Sequence, residues 1–178
     1  MQPLQLINGD FALISSEDLV KCMKFRWQLN SRGYVRIAET ENSKDIFLHN
    51  FVLDLPAGSG VDHINRDKLD NRRENLRFAD RTQQIANQGL TAKNTLGFKG
   101  ISIMTTSAGR IRYVAKLQKQ KKTVCLGNYN TPEEAAKAYD EGAKVHFGPY
   151  ACTNESLGLF NKTRATDYST TLNFEDED

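Results

Sequence analysis

Residues 98–105, 110–119 and 123–129 are three strand-like runs in close succession, broken by Ser107-Ala108-Gly109 and by Gln120-Lys121-Lys122, and directly after them stands Thr131-Pro132-Glu133-Glu134. Those four residues announce a helix: a hydroxyl at the cap, proline at the first helical position and a carboxylate three residues beyond the cap. Ala135, Ala136, Tyr139, Ala143 and Phe147 then give that helix one apolar face, which can lie flat on a sheet. The second half of the chain is thereby restricted to a small sheet backed by one helix.

The sheet has two unlike faces. In the central run Ile111, Tyr113, Ala115 and Leu117 point one way, while Arg110, Arg112, Lys116 and Gln118 point the other. In the last run Val124 and Leu126 point inward, with Lys121, Thr123 and Cys125 outward. The formal net charge of +2 hides this asymmetry. Between Arg81 and Pro132 there is no Asp or Glu, yet Lys93, Lys99 and the cations of the sheet all fall there, whereas the chain ends Glu175-Asp176-Glu177-Asp178. A basic face with no acid to neutralise it suits double-stranded DNA, where strands can offer Arg, Lys and Gln to base edges and phosphates.

At 178 residues, with small polar residues over 92–97 that suit a linker, the chain reads as two small units rather than one core. Cys22, Cys125 and Cys152 are odd in number and far apart, which excludes a disulfide framework and a paired zinc-type spacing and points to a reducing compartment. The start lacks a basic segment followed by an apolar run, and no stretch is apolar enough for a membrane span. A soluble, intracellular (cytoplasmic) protein with no membrane partner and no evident protein partner is expected. Residues 158–178 read as an acidic, mobile tail.

Residues 7–47 read as an α+β lead-in. Ser15-Ser16-Glu17-Asp18 suggests a hydroxyl-capped helix start, with Leu19, Val20 and Met23 on one helical face. Phe25, Trp27 and Leu29, then Tyr34-Val35-Arg36-Ile37 after Asn30-Ser31-Arg32-Gly33, predict a hairpin with Trp27 as a core anchor. Residues 46–53 form a compact apolar run, helix or strand, ended by Pro56-Ala57-Gly58-Ser59-Gly60. A strand holding Asp62-His63, a charged loop, a second strand at Leu76-Arg77-Phe78 and a helix over 81–88 follow.

That strand, loop, strand and helix carry the chemistry. Asp62 offers a hard oxygen for a divalent cation, and His63, next to it but on the other strand face, can take a proton from water near neutral pH; together they suffice for metal-assisted phosphodiester hydrolysis. Gln84 and Asn87 on the helix are candidate carbonyl-type ligands. Asn75 can brace the loop and the imidazole tautomer, and Arg66, Arg72, Arg73 and Arg77 can clamp flanking phosphates. His49 reads equally as a packed residue or a phosphate contact, and His146, near a helix end, as structural.

Two resemblances sharpen this. Leu48-His49, Val61-Asp62-His63-Ile64-Asn65, Asp70-Asn71-Arg72 and Glu74-Asn75-Leu76-Arg77 resemble the HNH motif of phage and intron-encoded homing endonucleases over about residues 46–88. The resemblance implies a ββα-metal fold with His63 as general base, Asp62 as metal ligand and Asn75 as the bracing Asn. The family's last ligand, Asn or His, falls at Gln84, which reaches one methylene further, so three alternatives stand: Gln84 binds the metal, Asn87 one turn away replaces it, or the site is weakened. Gly97-Phe98-Lys99-Gly100-Ile101, Tyr113-Val114-Ala115, Leu126-Gly127, Thr131-Pro132-Glu133-Glu134-Ala135-Ala136, Ala138-Tyr139-Asp140 and Phe147-Gly148 through Ala151 to Asn154 resemble the Apetala/ethylene-response-factor DNA-binding domain over about residues 95–155. This implies three antiparallel strands packed on one helix, with DNA contacts at Lys99, Ser102, Arg112, Lys116, Gln118, Thr123 and Cys125, beside Arg110 and Lys121 from the charge pattern.

The expected fold is therefore α+β. A small N-terminal α+β segment and a ββα-metal (HNH) module occupy residues 1–90, a linker 91–97, and a three-stranded antiparallel sheet on one helix 98–157. The expected function is a homing-type DNA endonuclease dependent on Mg²⁺ or another divalent cation such as Mn²⁺. The alternative is a DNA-binding regulator with a degenerate, non-cleaving HNH site.

Overall fold

The structure, a computed structural model, describes residues 1–38 and 46–161. The chain divides between Gln88 and Gly89 into two compact units.

Among its described residues the first unit holds three two-stranded antiparallel hairpins and three short α-helices. Strand β1 (Gln2–Gln5) pairs with β2 (Phe11–Ile14); helix α1 (Leu19–Cys22) follows, and β3 (Trp27–Leu29) pairs with β4 (Val35–Ile37). After helix α2 (Leu48–Val52), β5 (Val61–His63) pairs with β6 (Leu76–Phe78), leading into helix α3 (Arg81–Asn87). The hairpin expected around Trp27 is present, and Trp27 is its anchor: it is 1% exposed and its indole Nε1–H donates to the Cys22 carbonyl at 2.8 Å. Leu4, Ile14, Val35, Leu48 and Val52 complete the core around it.

The lead-in differs from expectation at its helix. Ser15 makes no cap; its hydroxyl accepts the Arg73 N–H at 3.0 Å, and residues Ser16–Asp18 form a 3-10 turn before the single turn of α1. With one turn there is room to bury one side. Leu19 and Cys22 take it, while Val20 and Met23, expected on the packed face, are 74% and 69% exposed. The same segment serves as a buttress. Leu13 N–H donates to Leu69 O and Asn71 N–H to Leu13 O, both at 2.8 Å, so β2 is stitched to the loop between β5 and β6. Helix α3 begins with a capping box that sequence reading passed over: Asp80 accepts from Gln83 N–H, and the Gln83 side chain accepts from Asp80 N–H.

The second unit is the expected sheet and helix, in strand order β7-β8-β9. Strand β7 (Ile101–Thr105) pairs antiparallel with β8 (Ile111–Lys119), which pairs antiparallel with β9 (Lys122–Tyr129), and helix α4 (Pro132–Phe147) covers one face. Thr131 and Glu134 form the anticipated capping box. Phe98, placed in a strand by pattern, instead precedes β7 as a fully buried core residue. The reason lies at Gly100: its φ is +77° and a Cβ there would sit 1.9 Å from the Tyr139 ring, so the backbone must bend against α4 before the strand can start.

Lys121 is a further correction. Gln120 and Lys121, with φ of 50° and 64°, are the two residues of the turn joining Lys119 to Lys122, so Lys121 stands at a hairpin tip rather than on the outward side of β9. A bulge opposite Ala115 and Lys116 inserts Leu126 between Cys125 and Gly127, and Val124 and Leu126 both pack toward the core as their alternation predicts. Ile111, expected to pack with Tyr113, Ala115 and Leu117, is 42% exposed. The core also runs past its expected end: Leu159 is buried, and the Phe160 ring lies 5.4 Å from that of Phe98, so residues 158–161 are not tail. The rest of the expected acidic tail, residues 162–178, lies outside the described residues.

Candidate active site

The β5–β6 hairpin and α3 of the first unit bring four polar side chains into a buried position: Asp62, His63, Asn75 and Asn87 are each between 5% and 8% exposed. A buried polar group is costly unless hydrogen-bonded, so each of these should have its partners built in. They do. Asp62 faces Arg77 across the hairpin and takes Arg77 Nε–H at 2.8 Å and its terminal nitrogen at 2.7 Å on Oδ2. From α3, Asn87 Nδ2 donates to Asp62 Oδ1 at 3.0 Å, to Oδ2 at 3.1 Å and to the His63 carbonyl at 2.8 Å.

His63 has a different set of neighbours. Its Nε2 lies 3.2 Å from Asn71 Oδ1, and Asn71 Nδ2 donates to Lys68 O at 3.0 Å. Because the amide nitrogen is committed to Lys68, the oxygen faces the ring, and an oxygen accepts; Nε2 therefore carries the proton and Nδ1 is the basic nitrogen. Burial pushes the His63 pKa below the ordinary histidine value, against the Asn71 hydrogen bond and the Asp62 charge, which raise it. The His49 ring stands edge-on to His63 at 5.3 Å between centroids, and Tyr34 lies at 6.2 Å. His49, only 8% exposed, has its pKa pushed down to about 4, by burial first and then by His63.

Asn75 holds the loop. It accepts Asn65 N–H at 2.9 Å and donates to Asn65 Oδ1 at 2.9 Å and to Asp70 O at 2.7 Å. The tautomer, which sequence reading gave to Asn75 as well, is set by Asn71. The pattern that could have found Asn71 is its spacing within Asp70-Asn71-Arg72, but nothing local says which of two loop amides meets the ring. Gln84, expected to complete a metal site, donates Nε2–H to Val61 O at 3.2 Å, while Asn87 is the helix residue touching Asp62. Among the described residues no group of three or more His, Cys, Asp or Glu is arranged to hold a metal ion. One carboxylate with neutral amides nonetheless suits Mg²⁺, which binds through one or two carboxylates plus substrate phosphates and keeps several waters.

The loop arginines are paired internally. Arg72 forks onto Asp70 at 2.7 Å and reaches Glu74, and Arg73 binds the buried Asp18 at 2.8 and 2.9 Å with Glu17 and Asp54 at its edge. Arg77 is on Asp62, and Arg66 is exposed at a turn with φ of 68°.

In the second unit the register groups most of the expected contacts on the face away from α4. Arg112 pairs with Met104, Ser102 with Val114, Lys116 with Cys125 and Gln118 with Thr123. Lys116, Gln118, Thr123 and Cys125 are exposed, and Arg112 hydrogen-bonds Asn130. Arg110 is exposed in the turn before β8. Lys99 lies elsewhere: its ammonium sits 5.9 Å from the Tyr139 ring centroid, and its backbone N–H and carbonyl are both taken by Asn154. That Asn154, fully buried and bonded to Asp140 at 2.7 and 2.8 Å, is the polar pin of this unit.

A two-stranded hairpin presents adjacent carboxylate and imidazole, closed by a helix that returns an amide to the carboxylate, an arrangement suited to phosphodiester hydrolysis. Comparison with known proteins agrees. Residues 54–84 match the HNH endonuclease family. The chain is 31% identical over 153 residues to an uncharacterized HNH endonuclease of Acanthamoeba polyphaga mimivirus, covering 83% of this chain and 76% of that protein. This chain belongs to the HNH endonuclease family, an enzyme class that cuts DNA and whose members use divalent metal ions. No solved structure matches it.

Proposed function

We propose that this protein is a metal-dependent, homing-type DNA endonuclease in which the first unit hydrolyses the phosphodiester bond and the second holds double-stranded DNA. The observation that carries the reading is His63: a buried imidazole with its Nε2 proton fixed on Asn71 has Nδ1 as its basic atom, next in sequence to a buried carboxylate. Nδ1 takes the proton from the attacking water, and Asn71 keeps the ring in the tautomer that allows it. Asn75 keeps the β5–β6 loop closed around that arrangement. Asp62 would hold the cation, and Asn87 or Gln84, whose amide nitrogens donate to Asp62 and to the Val61 carbonyl in the structure, would turn the amide over to offer it an oxygen. When bound, Mg²⁺ or Mn²⁺ supplies neutralisation of the charge that grows on the scissile phosphate and departing oxygen. Arg112, Lys116, Gln118 and Thr123 on the open sheet face contact DNA, and their lack of any neighbouring acid in sequence supports that role.

The test is plasmid cleavage by the purified protein with Mg²⁺, with Mn²⁺ and with chelator, beside His63→Ala and Gln84→Ala. Cutting that needs metal and His63 is expected. Unchanged cutting by His63→Ala would sink the assigned base. DNA binding without cleavage under any divalent metal would favour the regulator, for which the engagement of Gln84 by Val61 is the supporting observation.

A further inference from the structure

A cleft of about 220 Å³ opens in the first unit between the β3–β4 turn, the start of α2 and α3. Arg32 and Tyr34 come from the turn, Phe47, His49 and Asn50 from the α2 start, and Gln84 from α3. Its wall is aromatic. Phe47 stacks on His49 at 5.4 Å with a 3° angle between rings, and Tyr34 stands edge-on to both at 6.0 and 5.8 Å. Two of these rings, Tyr34 and His49, also touch His63, so the cleft borders the general base.

The chemistry of the lining selects the ligand. None of its described residues is Asp or Glu, which disfavours a cation, while the exposed Arg32 favours an anion. Three rings are more aromatic surface than a bare phosphate can use, and Arg32, Asn50 and Gln84 are too polar a rim for a purely apolar guest. At about 220 Å³ the space falls below that of pockets built for drug-sized ligands, roughly 300–1,000 Å³. It suits one unit of a strand. We infer that this cleft binds a single nucleotide of the strand being cut, its base against Tyr34 and His49 and its phosphate at Arg32. The inference rests on the nuclease reading for its biological sense, but binding can be measured without cutting.

The experiment is a titration of the full-length protein in chelator, following the ring signals of Tyr34 and His49 by NMR, with deoxyadenosine monophosphate, deoxyadenosine and inorganic phosphate as separate probes. The monophosphate should shift both rings saturably, deoxyadenosine more weakly, and phosphate alone neither. Tyr34→Ala should weaken both nucleoside probes by roughly tenfold, the loss of one base–ring stack, with Tyr34→Phe close to wild type. Arg32→Ala, at an exposed turn, should erase the preference for the monophosphate over deoxyadenosine while the protein stays folded. Absence of a saturable shift at either ring, or titrations unchanged in Tyr34→Ala and Arg32→Ala, would overturn the inference. A short single-stranded oligonucleotide that shifts the rings no more tightly than the monophosphate would overturn the assignment to a strand rather than a free nucleotide. A protein that cuts plasmid yet ignores the monophosphate loses the cleft and keeps the nuclease reading; one that binds it yet never cuts loses the reverse.

Discussion

Arginine is used in opposite ways in the two units. In the first, Arg72, Arg73 and Arg77 are each locked onto a carboxylate that is at most 10% exposed, so their charge is consumed in holding the β5–β6 loop and the lead-in together. In the second, no carboxylate occurs in the sequence from Thr82 to Thr131, and the cations of the sheet have no acid nearby in the chain. A basic residue count treats these alike. Yet a guanidinium already paired with a buried carboxylate cannot be diverted to a phosphate without giving up charge-assisted hydrogen bonds made inside the fold, whereas an exposed lysine on an acid-free face exchanges only water and counterions. The contrast gives the first set an architectural role and supports the DNA contact proposed for the second.

The contrast can be broken at several points. The largest effect expected is in catalysis: His63→Ala should lower the cleavage rate by roughly a hundredfold to ten-thousandfold, the usual contribution of a general base, measured under single-turnover conditions. Next is Arg73→Ala, which removes two charge-assisted hydrogen bonds from the buried Asp18 and leaves it Lys21 at 3.2 Å; it should cost on the order of 3 kcal/mol in urea unfolding followed by Trp27 fluorescence, with the slope of DNA affinity against salt unchanged. The single Trp reports the first unit alone.

Acid should act on the same unit. His49 is held neutral in the fold, with its pKa near 4, against an ordinary value of 6.5 in the unfolded chain. Below 6.5 the unfolded chain binds a proton that the folded one refuses, so the His49 contribution to stability is complete above pH 6.5 and declines until about pH 4. The Trp27-monitored unfolding free energy should fall by up to roughly 3 kcal/mol across that window, and His49→Phe should flatten the decline. The smallest effect is in binding. Lys116→Ala should reduce the salt dependence of DNA affinity by about one counterion, while Arg72→Ala should leave it unaltered. Equal slopes for Lys116→Ala and Arg72→Ala would erase the distinction between the units.

Much of this arrangement was legible in sequence because it is local. The Thr131-Pro132-Glu133-Glu134 box, the alternation along Ile111–Lys119 and the Asp62-His63 strand each declare themselves within a few residues. What was not legible depends on pairing across distance. Ser15 looked like a cap because its neighbours suit one, but Arg73, 58 residues on, takes its hydroxyl. Arg73 and Arg77 looked like a phosphate clamp because the carboxylates that hold them, Asp18 and Asp62, lie 55 and 15 residues away; Arg72 is the exception, since its partners Asp70 and Glu74 are two residues off. Asn71 escaped notice because an amide reveals its role through the direction it faces, and Asn154 because its partners Lys99 and Asp140 meet only once α4 is docked on the sheet.

The proposed function divides labour between a cutting unit and a holding unit. Its most direct test measures cleavage at saturating DNA and equilibrium binding in chelator on the same preparations of wild type, His63→Ala and Lys116→Ala. His63→Ala should bind as wild type with cutting all but lost, and Lys116→Ala should bind more weakly but cut at the wild-type rate once DNA is saturating. Lost cutting at saturation in Lys116→Ala, or lost binding in His63→Ala, would contradict it.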